Sequence, residues 1–328
     1  MSNNKPSSTK FNVSLLENGV HSLWRGIESY EEHEKTYEKL LLKDALMSLH
    51  HGVELLMKEI LVRRSLFLIF EDPTDAAKRQ KQADESGVGI FFLDRPPKTV
   101  TFEEAIVRVD AFVKPPELDE TLRTKLTELN RLRNQLEHYA IDVDREKVTK
   151  LLAELRDPLL ALFEAQIGGI NRLQTEKVIR AWDRVQESAR SHSRLEEAVL
   201  NLLKQFNGQK VPGRLFNVEG DLILPLFDQV LAEALLPSQG DVRGRVDILG
   251  KGKDFQWVVE VKGVHRLDSN VIYQLSHWSD EAKATTWLVA FSEVSHLVRA
   301  EAQKLGILVT GASEWEELKS IIGRSGSQ

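Results

Sequence analysis

The sequence predicts an α+β chain of two domains, an all-α helical bundle followed by an α/β domain built on a central mixed sheet. Three observations carry this reading. Over the first half, apolar residues recur three and four apart for long stretches, which marks helices with one buried face. Over the last third, short apolar runs alternate with helical stretches and glycine or proline breaks. The chain has 328 residues, room for two domains of about 150 residues each. The expected division is a disordered polar tail over 1–11, a helical domain over 12–170, a helical connector over 171–207 and the α/β domain over 208–328.

Taken in order, Val13, Leu16, Val20, Leu23, Ile27 and Tyr30 form one helical face from Asn12 to about His33. Gly19 and Gly26 weaken it, each by roughly 1 kcal/mol against alanine. A second helix is expected from Thr36 to Phe70, with Leu42, Leu46, Leu49, Val53, Leu56 and Ile60 as its seam. Glu71 to Thr101 holds Pro73, a polar stretch and Pro96-Pro97, and reads as a long loop. Thr101 with Glu104 is a capping box that opens a short helix through Phe112, and Pro115-Pro116 forces a turn. From Leu118 a further helix runs with Leu122, Leu126, Leu129, Arg133, Leu136 and Ala140 in its seam. Asp144 to Ile170 is expected to be a helix kinked at Pro158, with Val148, Leu152, Leu155, Leu159 and Phe163 inward. Gly168-Gly169 breaks the chain before a charged helix from Asn171 to Phe206, the connector.

Asn207-Gly208 and Pro212-Gly213 are turn signals at the second boundary. Leu222 to Leu236 reads as an apolar helix. Arg243 to Arg266 reads as two strands joined by a glycine-rich turn, with Asp247 near the end of the first. On the second, alternation sends Gln256, Val258, Glu260 and Lys262 one way and Phe255, Trp257, Val259 and Val261 the other. Then come a helix over Asp268–Lys283, a strand over Thr286–Phe291, a helix over Glu293–Leu305 stopped by Gly306, a strand over Ile307–Thr310 and a helix over Ser313–Ile322.

Two carboxylates and an ammonium thus meet at one sheet edge. The set suits metal-assisted phosphodiester cleavage: Asp247 and Glu260 as oxygen ligands for Mg²⁺ or Mn²⁺, and Lys262 beside the attacking water or the developing charge. The same residues also fit the solvated face of an amphipathic strand. Arg243, Arg245, Lys251, Lys253, Lys262 and Arg266 surround them and fit either phosphate contact or a solubilising surface.

The order of elements, with Asp247, Glu260-Val261-Lys262 and Gln274 on the next helix, resembles the PD-(D/E)xK nuclease superfamily, in particular its Mrr-like restriction branch. The resemblance covers roughly the last third. It implies a Mg²⁺-dependent DNA endonuclease in which Gln274 orients and an outer helical acid assists. Asp228, within Phe227-Asp228, is the nearest match to that acid, and Glu233 is a second candidate. Where the family often has Gln-x-x-x-Tyr, this chain has Gln274 followed by Trp278.

Arg133 sits where the helical seam calls for a hydrophobe, and a guanidinium there needs a partner. The run Arg133-Asn134-Gln-Leu-Glu-His138-Tyr139, with the His50–Leu61 stretch, resembles the HEPN superfamily over about Thr36 to Phe163. That resemblance implies an all-helical dimer. It implies either metal-independent RNA cleavage, with Arg133 gripping phosphate and His138 moving a proton, or a dimerising scaffold. On a straight helix positions five apart point about 140° from each other, so a working site calls for two chains or a bend. An i,i+4 pair of Arg133 with Glu137 is the structural alternative.

The net charge of −6 does not announce a nucleic-acid binder by bulk. The chain has no cysteine, which excludes disulfides and thiolate zinc sites. No run of 18 apolar residues predicts a membrane span, the N-terminal segment is polar, and a cytoplasmic location is expected. No P-loop or HExxH motif occurs. The two resemblances together imply a prokaryotic defence or toxin nuclease acting on DNA, with a homodimer through the helical half. The alternatives are a ribonuclease in the helical half, with the other half positioning nucleic acid, and a non-catalytic dimeric interaction protein.

Overall fold

The computed structural model describes residues 13–36, 38–138, 145–235, 245–263, 267, 271–273, 275–277 and 283–325. The chain divides into two compact units, Met1–Glu187 and Ser188–Gln328. The first is helical and the second holds a mixed sheet with helices, the α+β layout the pattern predicts.

In the first unit, α1 (Leu15–Thr36) and α2 (Lys39–Arg64) pack antiparallel. Their glycines are contact points. A Cβ on Gly26 would lie 2.8 Å from the Leu49 backbone nitrogen, and one on Gly52 would lie 2.5 Å from that of Leu23. The helical propensity lost at these sites is offset by close approach of the two backbones. The segment expected as a loop after Glu71 contains α3 (Pro73–Ser86). It has strong end signals: Asp72 accepts from the Thr74 and Asp75 N–H groups, Pro73 opens the first turn, and Gly87 closes it at φ +68°. Only Ala76 and Ala83 are buried, so there is no apolar stripe to read. α4 (Phe102–Arg108) is capped by Thr101 as expected and continues into a π-turn over Val109–Val113. α5 (Glu120–His138) and α6 (Arg145–Gln166, with Pro158 inside) complete the bundle. Leu122, Leu126 and Leu129 of α5 and all five expected inward residues of α6 are buried in one core.

α7 (Glu176–Leu203) covers most of the stretch expected as a connector. Its first half buries Val178, Trp182 and Val185 in the helical core, and its second half buries Val199, Leu202 and Leu203 in the core of the second unit.

The second unit opens with a two-stranded ladder, β1 (Lys210–Pro212) and β2 (Asp221–Ile223). Its main sheet has the order β3 (Gln229–Leu235), β4 (Arg245–Lys251), β5 (Gln256–Lys262), β6 (Thr285–Ala290), β7 (Leu308–Thr310). The first three strands are antiparallel neighbours and the last three parallel, with α8 (His296–Lys304) as the crossover from β6 to β7 and α9 (Ala312–Ser325) closing the chain. In the span expected as a helix over Leu222–Leu236, Leu222 and Ile223 belong to β2 and Gln229–Leu235 form β3. Val-Leu-Ala-Glu-Ala-Leu is rich in helix formers, but pairing with β4 (Leu231↔Leu249, Ala232↔Ile248) overrides local preference.

Helices cover both faces of the sheet. Trp257, Val259, Val261, Trp287 and Val289 pack with the α7 stripe, Phe206, Phe216 and Trp315. Val258, Leu249, Leu288 and Val309 pack with Ile272, Leu275, Val298 and Ala302. The expected alternation along β5 therefore holds, with both sides buried. Among the described residues no helix is long and apolar enough to cross a membrane.

Candidate metal centre

The site residues collect at the carboxyl end of β5 and the beginning of β4. Glu260 and Lys262 lie two apart on β5 and share a face. Both are buried, at 2% and 5% exposure, and Lys262 Nζ lies 3.0 Å from Glu260 Oε1. Breaking a buried ion pair by removing one partner costs about 3–5 kcal/mol. The solvated-strand alternative is thereby excluded for these two residues.

Asp247 sits at an irregularity in β4. The regular pairing of β4 with β5 runs from Lys251↔Gln256 to Ile248↔Val259. Past that rung the Asp247 side chain enters the ladder, and its Oδ2 accepts from the Val261 N–H at 2.8 Å. Val246 and Ile248, two apart, belong to the cores on opposite faces. Across on β3, Glu233 lies between the pairs Ala232↔Ile248 and Ala234↔Val246, hence opposite Asp247, with φ +50°. Local breaks of this kind re-aim a side chain out of the regular pleat.

That re-aiming brings Asp247 to α7. His192 and Glu196 are four apart on α7, in line with the buried Val199 and Leu203, so two polar residues continue the stripe that faces the sheet. His192 Nε2 lies 3.2 Å from Glu196 Oε1. His192, Glu196 and Asp247 each offer a ligand atom within 4.8 Å of the other two. Two ligands of one ion bound at about 2.1 Å are at most ~4.2 Å apart, so a slight inward shift suffices for coordination. Among the described residues this is the group whose carboxylate and imidazole atoms converge. Sequence reasoning paired Asp247 with Glu260 and passed over His192 and Glu196. Their i,i+4 spacing on an apolar stripe was the available signal.

Of the outer acids, Asp228 does not join this cluster. It is exposed, precedes β3, and its backbone N–H donates to Lys251 O, at the hairpin end of β4. Glu233 is half-buried beside the cluster, on a strand and not on a helix. The basic residues are divided too. Lys251 and Lys253 are exposed at the hairpin end, away from Asp247, whereas Lys262 is buried against Glu260. Arg243, Arg266, Gln274 and Trp278, and the side chain of Arg245, lie outside the described residues.

In the helical unit, Arg133 donates to Asn134 Oδ1 at 2.9 Å and forms an ion pair with Glu137, the i,i+4 partner. His138 ends α5, and its side chain lies outside the described residues. A nearby polar relay is unforeseen: buried His50 donates from Nε2 to Asn130 Oδ1 at 2.9 Å, Asn130 Nδ2 donates to Glu103 Oε1 at 2.7 Å, and the His50 ring stacks on Phe102. Burial holds the His50 imidazole below its ordinary value of 6.5.

No family model matches the chain, and no curated protein matches it. Among solved structures it aligns with the crystal structure of protein VC1899 from Vibrio cholerae, at 14% identity and a TM-score of 0.30. The alignment covers 64% of this chain and 56% of that one. Similarity at this level carries no argument about fold or function.

Proposed function

We propose that the second unit is a divalent-metal-dependent phosphodiesterase acting on DNA, an endonuclease of a prokaryotic defence or toxin system. The convergence of His192, Glu196 and Asp247, with Asp247 bonded to the strand that carries the buried Glu260–Lys262 pair, supports this reading above all else. Asp247 and Glu196 supply carboxylate oxygens from two different elements, donors of the kind taken by the Mg²⁺ or Mn²⁺ that the motif implies. When bound, such an ion polarises the phosphate and makes water a better nucleophile. Asp247 is fixed by the Val261 N–H, so one ligand is set by the sheet itself. Glu260 holds the Lys262 ammonium at the strand end, where it steadies negative charge as the phosphate is attacked. Position at the carboxyl ends of β5 and β6 is where open α/β sheets bind ligands.

For the helical unit we favour a dimerising scaffold. Arg133 is engaged by Glu137 and Asn134, which supports a structural part for that residue. The rival reading, metal-independent RNA cleavage through Arg133 and His138, is tested in the same experiment. The full chain is offered plasmid DNA and structured RNA, with Mg²⁺, with Mn²⁺ and with EDTA. DNA cutting that disappears in EDTA and in Lys262→Ala supports the proposal. RNA cutting that survives EDTA but not His138→Ala supports the rival. No cutting in any lane, with an intact dimer by light scattering, favours a non-catalytic interaction protein.

A further inference from the structure

We infer that the ion held between α7 and β4 is a first-row transition metal, Zn²⁺ or Mn²⁺, bound in preference to Mg²⁺ or Ca²⁺, and that His192 sets this preference. The inference deepens the metal-dependent reading above and rests on Asp247 and Glu196 as ligands. Its starting point is the chemistry of the third donor. Mg²⁺ takes oxygen ligands in near-ideal octahedral geometry and keeps much of its water, so an imidazole is a poor partner for it. Imidazole nitrogen suits Zn²⁺ and its neighbours, and catalytic zinc sites use three protein ligands drawn from nitrogen, sulfur and carboxylate donors plus an open position.

The local structure presents that nitrogen. His192 and Glu196 occupy successive turns of α7, so the helix holds both at fixed spacing without relying on a loop. The ring places its Nε2 3.2 Å from Glu196 Oε1. Its Nδ1 edge faces the exit of β5, where a Cβ built on Gly263 would come within 3.7 Å of it and 3.2 Å of Leu195. The ring is thus confined between helix and strand end. At 12% exposure for the His192 side chain and 16% for Glu196, the donors are largely withdrawn from water. An ion there exchanges its hydration for protein ligands, which transition ions tolerate better than Mg²⁺.

The test measures binding, with no substrate present. Full-length protein stripped with chelator is titrated with Zn²⁺, Mn²⁺ and Mg²⁺ in separate calorimetric runs, and bound Mn²⁺ is examined by pulsed electron paramagnetic resonance. The expected order is Zn²⁺ tightest, then Mn²⁺, with Mg²⁺ weaker than Mn²⁺ by about tenfold or more. Bound Mn²⁺ should show coupling to an imidazole nitrogen. His192→Asp should remove that coupling and narrow the gap between Mn²⁺ and Mg²⁺. Glu196→Gln, a second variant, should weaken both ions and leave the nitrogen coupling in place. Equal affinity for Mn²⁺ and Mg²⁺, nitrogen coupling that persists in His192→Asp, or no ion bound at all would each overturn the inference. Ion binding as expected with no nucleic acid cut would instead defeat the nuclease reading and leave the metal preference standing.

Discussion

His50 in the helical unit and His192 in the α/β unit are both largely withdrawn from water, but their surroundings differ in kind. His50 donates to an amide, the amide donates to Glu103, and an aromatic ring covers the imidazole face. Each donor there meets one acceptor, and the chain of bonds ends at a single carboxylate. His192 instead shares its space with two carboxylates from separate elements, so three groups able to donate lone pairs to a cation face one another. The first arrangement is complete as a structural relay. The second gathers two carboxylates and an imidazole, lone-pair donors that gain from a positive ion. Buried polar residues alone do not mark a functional site. What distinguishes one is convergence of lone-pair donors from distant parts of the chain.

That contrast can be broken most decisively at the α/β site. Asp247→Asn or Lys262→Ala should lower DNA cleavage by roughly 10³-fold, measured as first-order plasmid nicking. Asn130→Ala in the helical unit should leave the rate per folded molecule unchanged. It should lower unfolding free energy by about 1–3 kcal/mol, because His50 and Glu103 each lose a buried partner. Denaturant melts with a parallel cleavage assay check both halves of that statement. A large drop in cleavage by folded Asn130→Ala would erase the distinction between the two regions.

A finer test addresses the strand irregularity. Glu233 carries left-handed backbone opposite Asp247, which costs a non-glycine residue about 1–2 kcal/mol. Glu233→Gly should keep ion binding, whereas Glu233→Val, which disfavours that backbone more strongly, should weaken it by calorimetry while the circular dichroism spectrum stays the same. Equal ion affinity in the two variants would detach the kink from the site. The smallest effect concerns pH. The His50 value is depressed in the folded state by burial. The unfolded chain therefore takes up the proton first as pH falls through about 6.5, and stability present above that pH is lost below it. His50→Gln, which keeps a donor for Asn130, should flatten the melting temperature over this window.

Much of this was legible in the sequence. The placing of Glu260 and Lys262 on one strand face is legible because period-two alternation is a strong signal in a short apolar run, whereas Asp247, expected near the end of its strand, lies near the beginning of β4. The helical seams of α2, α5 and α6 were legible for the same kind of reason. β3 was hidden because its residues favour helix locally and only its partner strand decides otherwise. α3 was hidden because its anchors are two alanines, although Asp72, Pro73 and Gly87 announced its ends. His192 and Glu196 were passed over because a helix face tells nothing of the strand it covers. Their relation to Asp247 depends on a break in β4 that no local pattern encodes.

The most direct measurement is a crystal of the full chain soaked in Mn²⁺, with diffraction recorded to locate the ion by its anomalous scattering. The account predicts one strong peak within coordination distance of Asp247, Glu196 and His192. A clean map at saturating Mn²⁺, or a peak placed elsewhere with these three side chains unliganded, would contradict it.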